Sequence, residues 1–182
     1  MIVPVDITGV CLETPRLLLR PWQETDVQDF YEYASVDGVG QMAGWAPHKS
    51  LEESKAILKL FMEEKKTFAL VDRKTQKVIG SIGLEERDAP GEIPGQGREL
   101  GYVLAKPYWG QGLMPEAVKE VIRYCFDTLH WDWVTCAHFI SNRQSHRVIE
   151  KCGFTYLGDI LFETRIGTVE PTKAYILYNQ KR

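Results

Sequence analysis

The amino-acid sequence predicts a single α/β domain over residues 1–182, with a mixed and mostly antiparallel central sheet of about six to seven strands and helices on both faces. Three observations predict it. The spacing of apolar residues switches repeatedly between a period of about 2 and one of about 3.6, the marks of strand and helix. Three successive strand-like runs precede the first strand–helix–strand crossover, so this is not a regular alternation of strand and helix. Finally, 182 residues can bury a core without disulfides or metal but fall short of two ordinary domains.

In chain order, Arg16–Arg20 is a first strand, bounded by Pro15 and Pro21. Thr25 with Gln28 has the form of a capping box, and Val27, Phe30, Tyr31 and Ala34 mark the buried face of the helix it opens. Gly38–Pro47 is a loop that carries Gly40, Gly44 and Trp45. Ser50 with Glu53 repeats the capping pattern before a second helix, whose buried side is Ile57, Leu58, Phe61 and Met62. Phe68–Val71 and Lys77–Leu84 form a hairpin around the polar turn Asp72–Gln76. Ala89–Gly97 is rich in proline and glycine and reads as an exposed loop, followed by a strand over Glu99–Ala105. A long helix then runs to about Leu129 on the stripe Met114, Ala117, Val118, Val121, Ile122 and Cys125. Trp133–Phe139 is almost wholly apolar and therefore a central strand. The short helix Asn142–Cys152 stops at Gly153, where a left-handed residue is wanted, and two strands follow at Thr155–Arg165 and Lys173–Tyr178.

Composition narrows the function. The chain is 44% hydrophobic and 26% charged with a net charge of −3, ordinary for a soluble globular protein and without the basic excess that nucleic-acid binding needs. Its longest apolar runs are a few residues, and Met1–Val10 lacks a basic region and carries Asp6, so neither a membrane span nor a signal peptide is expected and a cytoplasmic location is. Cys11, Cys125, Cys136 and Cys152 show no two-residue spacing, so no metal is expected, and Cys125 and Cys136, inside apolar runs, read as small buried hydrophobes.

Two segments carry chemistry. In Glu99–Ala117 a strand runs into a turn with Gly110 and Gly112 that opens a helix, with Pro115 in its first turn. The N–H groups of Gly110, Gln111, Gly112, Leu113 and Met114 then face outward at the positive end of the helix dipole, a place for phosphate. Gly-x-Gly alone is equally compatible with a turn that binds nothing. In the second segment, Asn142 and Ser145 begin a helix directly after the central strand, and taken singly each is an ordinary helix-start residue.

Together the two segments resemble motifs A and B of the GCN5-related N-acetyltransferases, nearest the branch that acetylates the N-termini of ribosomal proteins. The resemblance rests on Thr14-Pro15-Arg16-Leu17-Leu18-Leu19-Arg20-Pro21-Trp22, on Tyr108-Trp109-Gly110-Gln111-Gly112 with Glu116-Ala117, on Asn142-x-x-Ser145, and on Glu150-Lys151-Cys152-Gly153-Phe154, in that order over about residues 12–179. It implies acetyl-CoA as co-substrate and a splayed strand pair to hold it. Gly110–Met114 would hold the pyrophosphate, the backbone of Tyr102, Val103 and Leu104 the pantetheine amides, Asn142 the pantetheine arm and Lys151 the adenosine end. An N–H of the splayed strand, that of Val103, would polarise the thioester carbonyl.

The sequence departs from the common family form at Ile149, where many members carry a tyrosine acid, and at Pro107, where many carry Gln or Arg. In the ribosomal-protein branch a serine takes the acid role, and Ser145 stands at that position. For the base, Glu99 shares a strand face with Gly101 and Val103 and ranks ahead of Glu163; a water relay and a plain surface carboxylate remain alternatives for both. Trp45 would wall the acceptor pocket, or else be a loop aromatic tucked under the second helix; His48 and His138 read as structural. The acceptor implied is a primary amine, foremost a protein N-terminus, with a small amine, polyamine or antibiotic as the alternative. A non-catalytic acyl-CoA-binding module is a third reading. The partners are thus acetyl-CoA and an amine, with no nucleic acid or membrane, in a monomer or homodimer. The whole net charge of −3 lies within residues 85–99, while 141–151 carries a local excess of basic residues, which predicts a cleft with an anionic acceptor lip and a cationic cofactor lip.

Overall fold

In the computed structural model, residues 2–87 and 89–181 are described. Its strands are β1 (Leu12–Glu13), β2 (Leu17–Pro21), β3 (Thr67–Asp72), β4 (Val78–Glu85), β5 (Gly97–Leu104), β6 (Trp133–Phe139), β7 (Thr155–Glu163) and β8 (Val169–Tyr178). The helices are α1 (Val27–Ala34), α2 (Leu51–Glu64), α3 (Leu113–Arg123) and α4 (Arg143–Lys151). The strands form one eight-stranded sheet in the order β1-β2-β3-β4-β5-β6-β8-β7. Every pairing is antiparallel except β5 with β6. Among the described residues no helix is long and apolar enough to cross a membrane.

The sheet exceeds the expected six to seven strands because the two-residue β1 pairs with Leu18 and Leu19 of β2, too short a segment to show a period. Two further corrections concern helix ends. The expected Thr25–Gln28 box is not used: a 3-10 turn at Glu24–Asp26 precedes α1, and the Asp26 carboxylate accepts the Gln23 N–H at 2.8 Å. The same carboxylate holds Arg20 in a two-pronged ion pair, which fixes it here. The long helix is α-helical only to Arg123 and continues as a π-helical turn over Tyr124–Thr128. That turn keeps Cys125 buried and sets the Tyr124 ring edge-on to Phe68. The Ser50 cap is as expected, its oxygen accepting the Glu53 N–H at 3.1 Å.

Helices cover both faces. The Tyr33 hydroxyl of α1 meets Ser81 on one face, and the turn after α3 meets Phe68 on the other. Strand alternation then puts Ser81, Gly83 and Glu85 of β4 on the α1–α2 face, together with their cross-strand partners Val103, Gly101 and Glu99. The sheet opens at one place. β5 pairs with β6 only from Gly97 to Leu100; beyond that Gly101–Leu104 stays with β4, while Ala137–Phe139 of β6 stays with β8. The functional cleft lies in that gap.

Candidate active site

The first half of the cleft is a groove of about 240 Å³, one edge of which is the unpaired main chain of β5. The Ala105 N–H donates to the Ile79 carbonyl at 2.7 Å, so alternation turns the backbone of Val103 toward β4 and that of Tyr102 and Leu104 toward the gap. The Leu104 carbonyl is taken by Trp109 Nε1 at 2.7 Å. The N–H expected from Val103 therefore serves the sheet, and Tyr102 and Leu104 are the residues that present theirs.

At the end of the groove Gly110 and Gly112 both adopt φ of +75°, a left-handed conformation that only glycine takes without strain. Gly112 is the N-cap of α3 and supplies no side chain, so the first-turn N–H groups are left for a ligand, and Pro115 has none to leave. Arg16 clamps this turn. Its Nε meets Glu116 at 2.9 Å, its Nη1 donates to the Gln111 carbonyl at 2.8 Å, and its Nη2 lies beside Gly112. Glu116 also accepts from the Thr14 hydroxyl at 2.6 Å and the Arg16 N–H at 3.1 Å, and these bonds hold its carboxyl below the usual range against the opposing effect of burial. On the opposite lip α4 contributes Asn142, Ser145, Arg147 and Lys151.

The groove and the second cavity share Met42, Ala43, Tyr102, Val103 and Ser145. Here Ser145 Oγ lies 2.7 Å from the Tyr102 hydroxyl, and burial holds that hydroxyl well above the ordinary tyrosine pKa, so it stays protonated. Asn142 caps α4 by accepting the Ser145 N–H at 3.1 Å, which fixes the serine at the seam. Ile149, at the common tyrosine position, is packed into the core.

The second cavity, of about 380 Å³, lies on the α1–α2 face. Its floor is the cross-strand ladder Ser81–Val103, Gly83–Gly101, Glu85–Glu99, and Trp45, Phe61 and Phe162 wall it. Trp45 packs against Gly40, where a Cβ would collide with its ring. Glu99 is buried and accepts from Arg87 Nη1 at 2.9 Å. Burial raises its pKa, Arg87 opposes that rise and the facing Glu85 adds to it. Arg87 is steadied by Phe162, with its guanidinium 4.6 Å from the ring centre.

Several expectations are corrected. Glu163 is exposed and lines neither cavity, because strand alternation in β7 aims Phe162 inward and its neighbour outward. The acidic lip is largely neutralised: Glu85 pairs with Lys66 at 2.6 Å, Glu86 with Arg98 at 3.0 Å and Glu99 with Arg87. Of that segment's carboxylates, only Glu85 and Glu99 line the cavity; Asp88 lies outside the described residues. His48 bonds Ser54 at 2.7 Å, while His138 bonds the Phe139 carbonyl and stacks on His146; burial lowers both pKa values, as suits structural imidazoles. Burial likewise pushes the Cys125 and Cys136 thiols up and that of Cys152 to about 11, so these thiols stay protonated. Among the described residues no group of three or more His, Cys, Asp or Glu is gathered to hold a metal.

Arg16, Glu85, Arg87 and the Tyr102 side chain were not singled out as site residues by their sequence context. Only Arg16 had a local signal, its place in Thr14-Pro15-Arg16-Leu17.

A groove with a main-chain edge ending in a helix start suited to an anion, joined to a pocket with a buried carboxylate, is the arrangement of a two-substrate transferase cleft, one half for a phosphate-bearing ligand and the other for a polar acceptor. The acetyltransferase (GNAT) domain family matches residues 16–155, and the chain belongs to that family. It is an acetyl-CoA-dependent N-acetyltransferase. The uncharacterized N-acetyltransferase YoaA of Bacillus subtilis (strain 168) is 28% identical over 151 residues, covering 79% of this chain and 81% of that one. Two solved structures show the same fold. One is ribosomal-protein-S5-alanine acetyltransferase from Vibrio fischeri, with a TM-score of 0.74 and 22% identity over 94% of this chain and 98% of that chain. The other is spermidine N-acetyltransferase from Vibrio cholerae in complex with CoA and spermine, with a TM-score of 0.73 and 18% identity over 92% of this chain and 98% of that chain.

Proposed function

We propose that the acceptor is a protein N-terminal α-amine and that Ser145 and Glu99 move the protons. The observation that carries the reading is Ser145 Oγ at the seam of the two cavities on a helix that offers no tyrosine. This is the serine form of the acid that the ribosomal-protein branch uses, and the Vibrio fischeri structure lends it a neighbour of that kind.

In this reading the acetyl-CoA pantetheine lies along Tyr102–Leu104, its pyrophosphate on Gly110–Met114, with Asn142 and Lys151 flanking it. Trp45 walls the acceptor. The ammonium gives its proton to ionised Glu99, through water where the two do not touch. The neutral amine attacks the thioester carbon, whose developing oxyanion is met by the Tyr102 N–H. The C–S bond breaks as the serine hydroxyl, hydrogen-bonded to Tyr102, gives its proton to the departing sulfur; the nitrogen, cationic since the attack, returns a proton to the serine through water, so that one ammonium proton ends on Glu99 and the other on the thiol. Thiol and N-acetyl product balance the step.

Supporting a second reading, a small polyamine, are the paired carboxylates Glu85 and Glu99 on the cavity floor and the spermidine-acetylating neighbour. The deciding experiment is thiol release from acetyl-CoA with a panel of N-terminal peptides beside spermidine and simple amines. Peptide-dependent release with the acetyl group on the α-nitrogen is expected; release with amines but with no peptide overturns the α-amine reading.

A further inference from the structure

The floor of the acceptor cavity holds polar groups that proton transfer does not use. Glu85 faces Glu99 across the β4–β5 pair, but its side chain lies back along its own strand over Gly83. A Cβ at Gly83 would collide with Glu85 Oε1, and one at Gly101 would stand 3.3 Å from Glu85 Cγ. Two facing glycines therefore make the trough in which this carboxylate rests. Lys66 holds Oε2 at 2.6 Å and leaves Oε1 turned toward Gly83.

The same space is approached from β3 by Thr67, the cross-strand partner of Gly83, whose Oγ1 would stand 3.4 Å from that Cβ. Thr67 is only 4% exposed and lines the cavity, and among the described residues its hydroxyl has no hydrogen-bond partner. A buried hydroxyl with nothing to bond is costly, so a polar group of a ligand that reached it would gain a bond the protein alone does not supply.

We propose that Glu85 Oε1 and Thr67 Oγ1 form a second subsite, which binds a hydrogen-bond donor, hydroxyl or ammonium, carried by the acceptor close to the amine that is acetylated. The proposal rests on the amine-acetylating role of this cavity given above. It makes Glu85 and Thr67 specificity-determining residues, while the proton-accepting role stays with Glu99. An acceptor without that donor leaves the carboxylate oxygen and the hydroxyl unmatched in a partly dry site, a mismatch that sites of this type discriminate against strongly.

The test uses acceptor pairs that differ only in the donor: a Ser-initiated against an otherwise identical Ala-initiated peptide, and 1,3-diaminopropane against propylamine. Wild-type protein is expected to favour the donor-bearing member by about tenfold in kcat/KM. Glu85→Ala removes the carboxylate, and Gly83→Ala displaces it without changing charge; each is expected to bring the ratio to within about twofold, with Thr67→Val lowering it less. Damage to the fold slows both members alike and leaves the ratio standing. Equal rates in the wild type, or a preference that survives both Glu85→Ala and Gly83→Ala, overturns the subsite. If only the amine pair is turned over, the α-amine reading fails and the subsite is judged on that pair.

Discussion

The two halves of the cleft are built from different materials. The half proposed for the cofactor has one lip of main chain, contiguous within residues 101–114: the freed edge of β5, the left-handed turn at Gly110 and Gly112, and the start of α3; only its other lip, on α4, is side chain. The acceptor half is side chain, drawn from β3, β4, β5, the loop before α2 and the β7–β8 hairpin. Main-chain recognition suits a partner that never changes, because N–H groups and helix starts survive most substitutions. Side-chain recognition lets the acceptor change while the chemistry is kept. Ser145 and Tyr102 sit where the halves meet, the place that the proposed mechanism gives to the exchange of the bond.

Glu99→Gln should have the largest effect, on the acceptor side of this division. Loss of a general base costs 10²–10⁴-fold, so kcat/KM should fall about a thousandfold with little change in acetyl-CoA binding. Its pH dependence has a definite sign. Glu99 accepts a proton only when ionised, and burial raises its pKa above the carboxylate value of 4.5, so wild-type activity falls as pH drops through that raised value. The limb should vanish in Glu99→Gln. In Arg87→Leu it should move to higher pH, because Arg87 is the charge that opposes the rise. A pH–rate series on the three proteins checks this, and an unmoved limb would remove Glu99 as base.

Ser145→Ala tests the seam and should cost about a hundredfold in kcat, the lower end for a general acid. Acetyl-CoA affinity, read by thermal shift, should change little, since the α3 start and the β5 backbone are untouched. Wild-type turnover in this variant would leave the leaving sulfur without its assigned donor.

The division also explains what was legible in the sequence. Helix starts, left-handed glycines and strand periods are local, so the main-chain course of the groove from Tyr102 to Met114 was legible in those thirteen consecutive residues. Glu99 followed too, because it shares that strand and its alternation. Glu163 stands one residue past the inward-facing Phe162, and in a strand one residue is the opposite face. Glu85 and Arg87 gave no signal, since their roles depend on Gly83 and Gly101 facing each other and on Phe162 arriving from a strand some 75 residues later. The acidic excess was visible as a sum, but which carboxylates enter the cavity was decided by Lys66, Arg87 and Arg98.

Arg16 gives the smallest predicted effect and the sharpest test of main-chain recognition. Its guanidinium bonds Glu116 with Nε and the Gln111 carbonyl with Nη1 while Nη2 reaches Gly112, so a planar fork spans the start of α3 and the turn before it. Lysine keeps the charge but has no fork. If Arg16 acts only as a nearby positive charge for the phosphates, Arg16→Lys should bind acetyl-CoA normally. If it shapes the turn so that the N–H groups of Gly110–Met114 point at one ligand, Arg16→Lys should raise the acetyl-CoA KM about tenfold, some 1.4 kcal/mol, at nearly constant kcat. The acceptor KM should not move, because no part of the clamp lines that cavity. The second outcome is expected, since all three contacts are to the turn and the helix start rather than to open solvent. A parallel rise in both KM values would mean that the two halves are mechanically coupled and that the division between them is one of material alone.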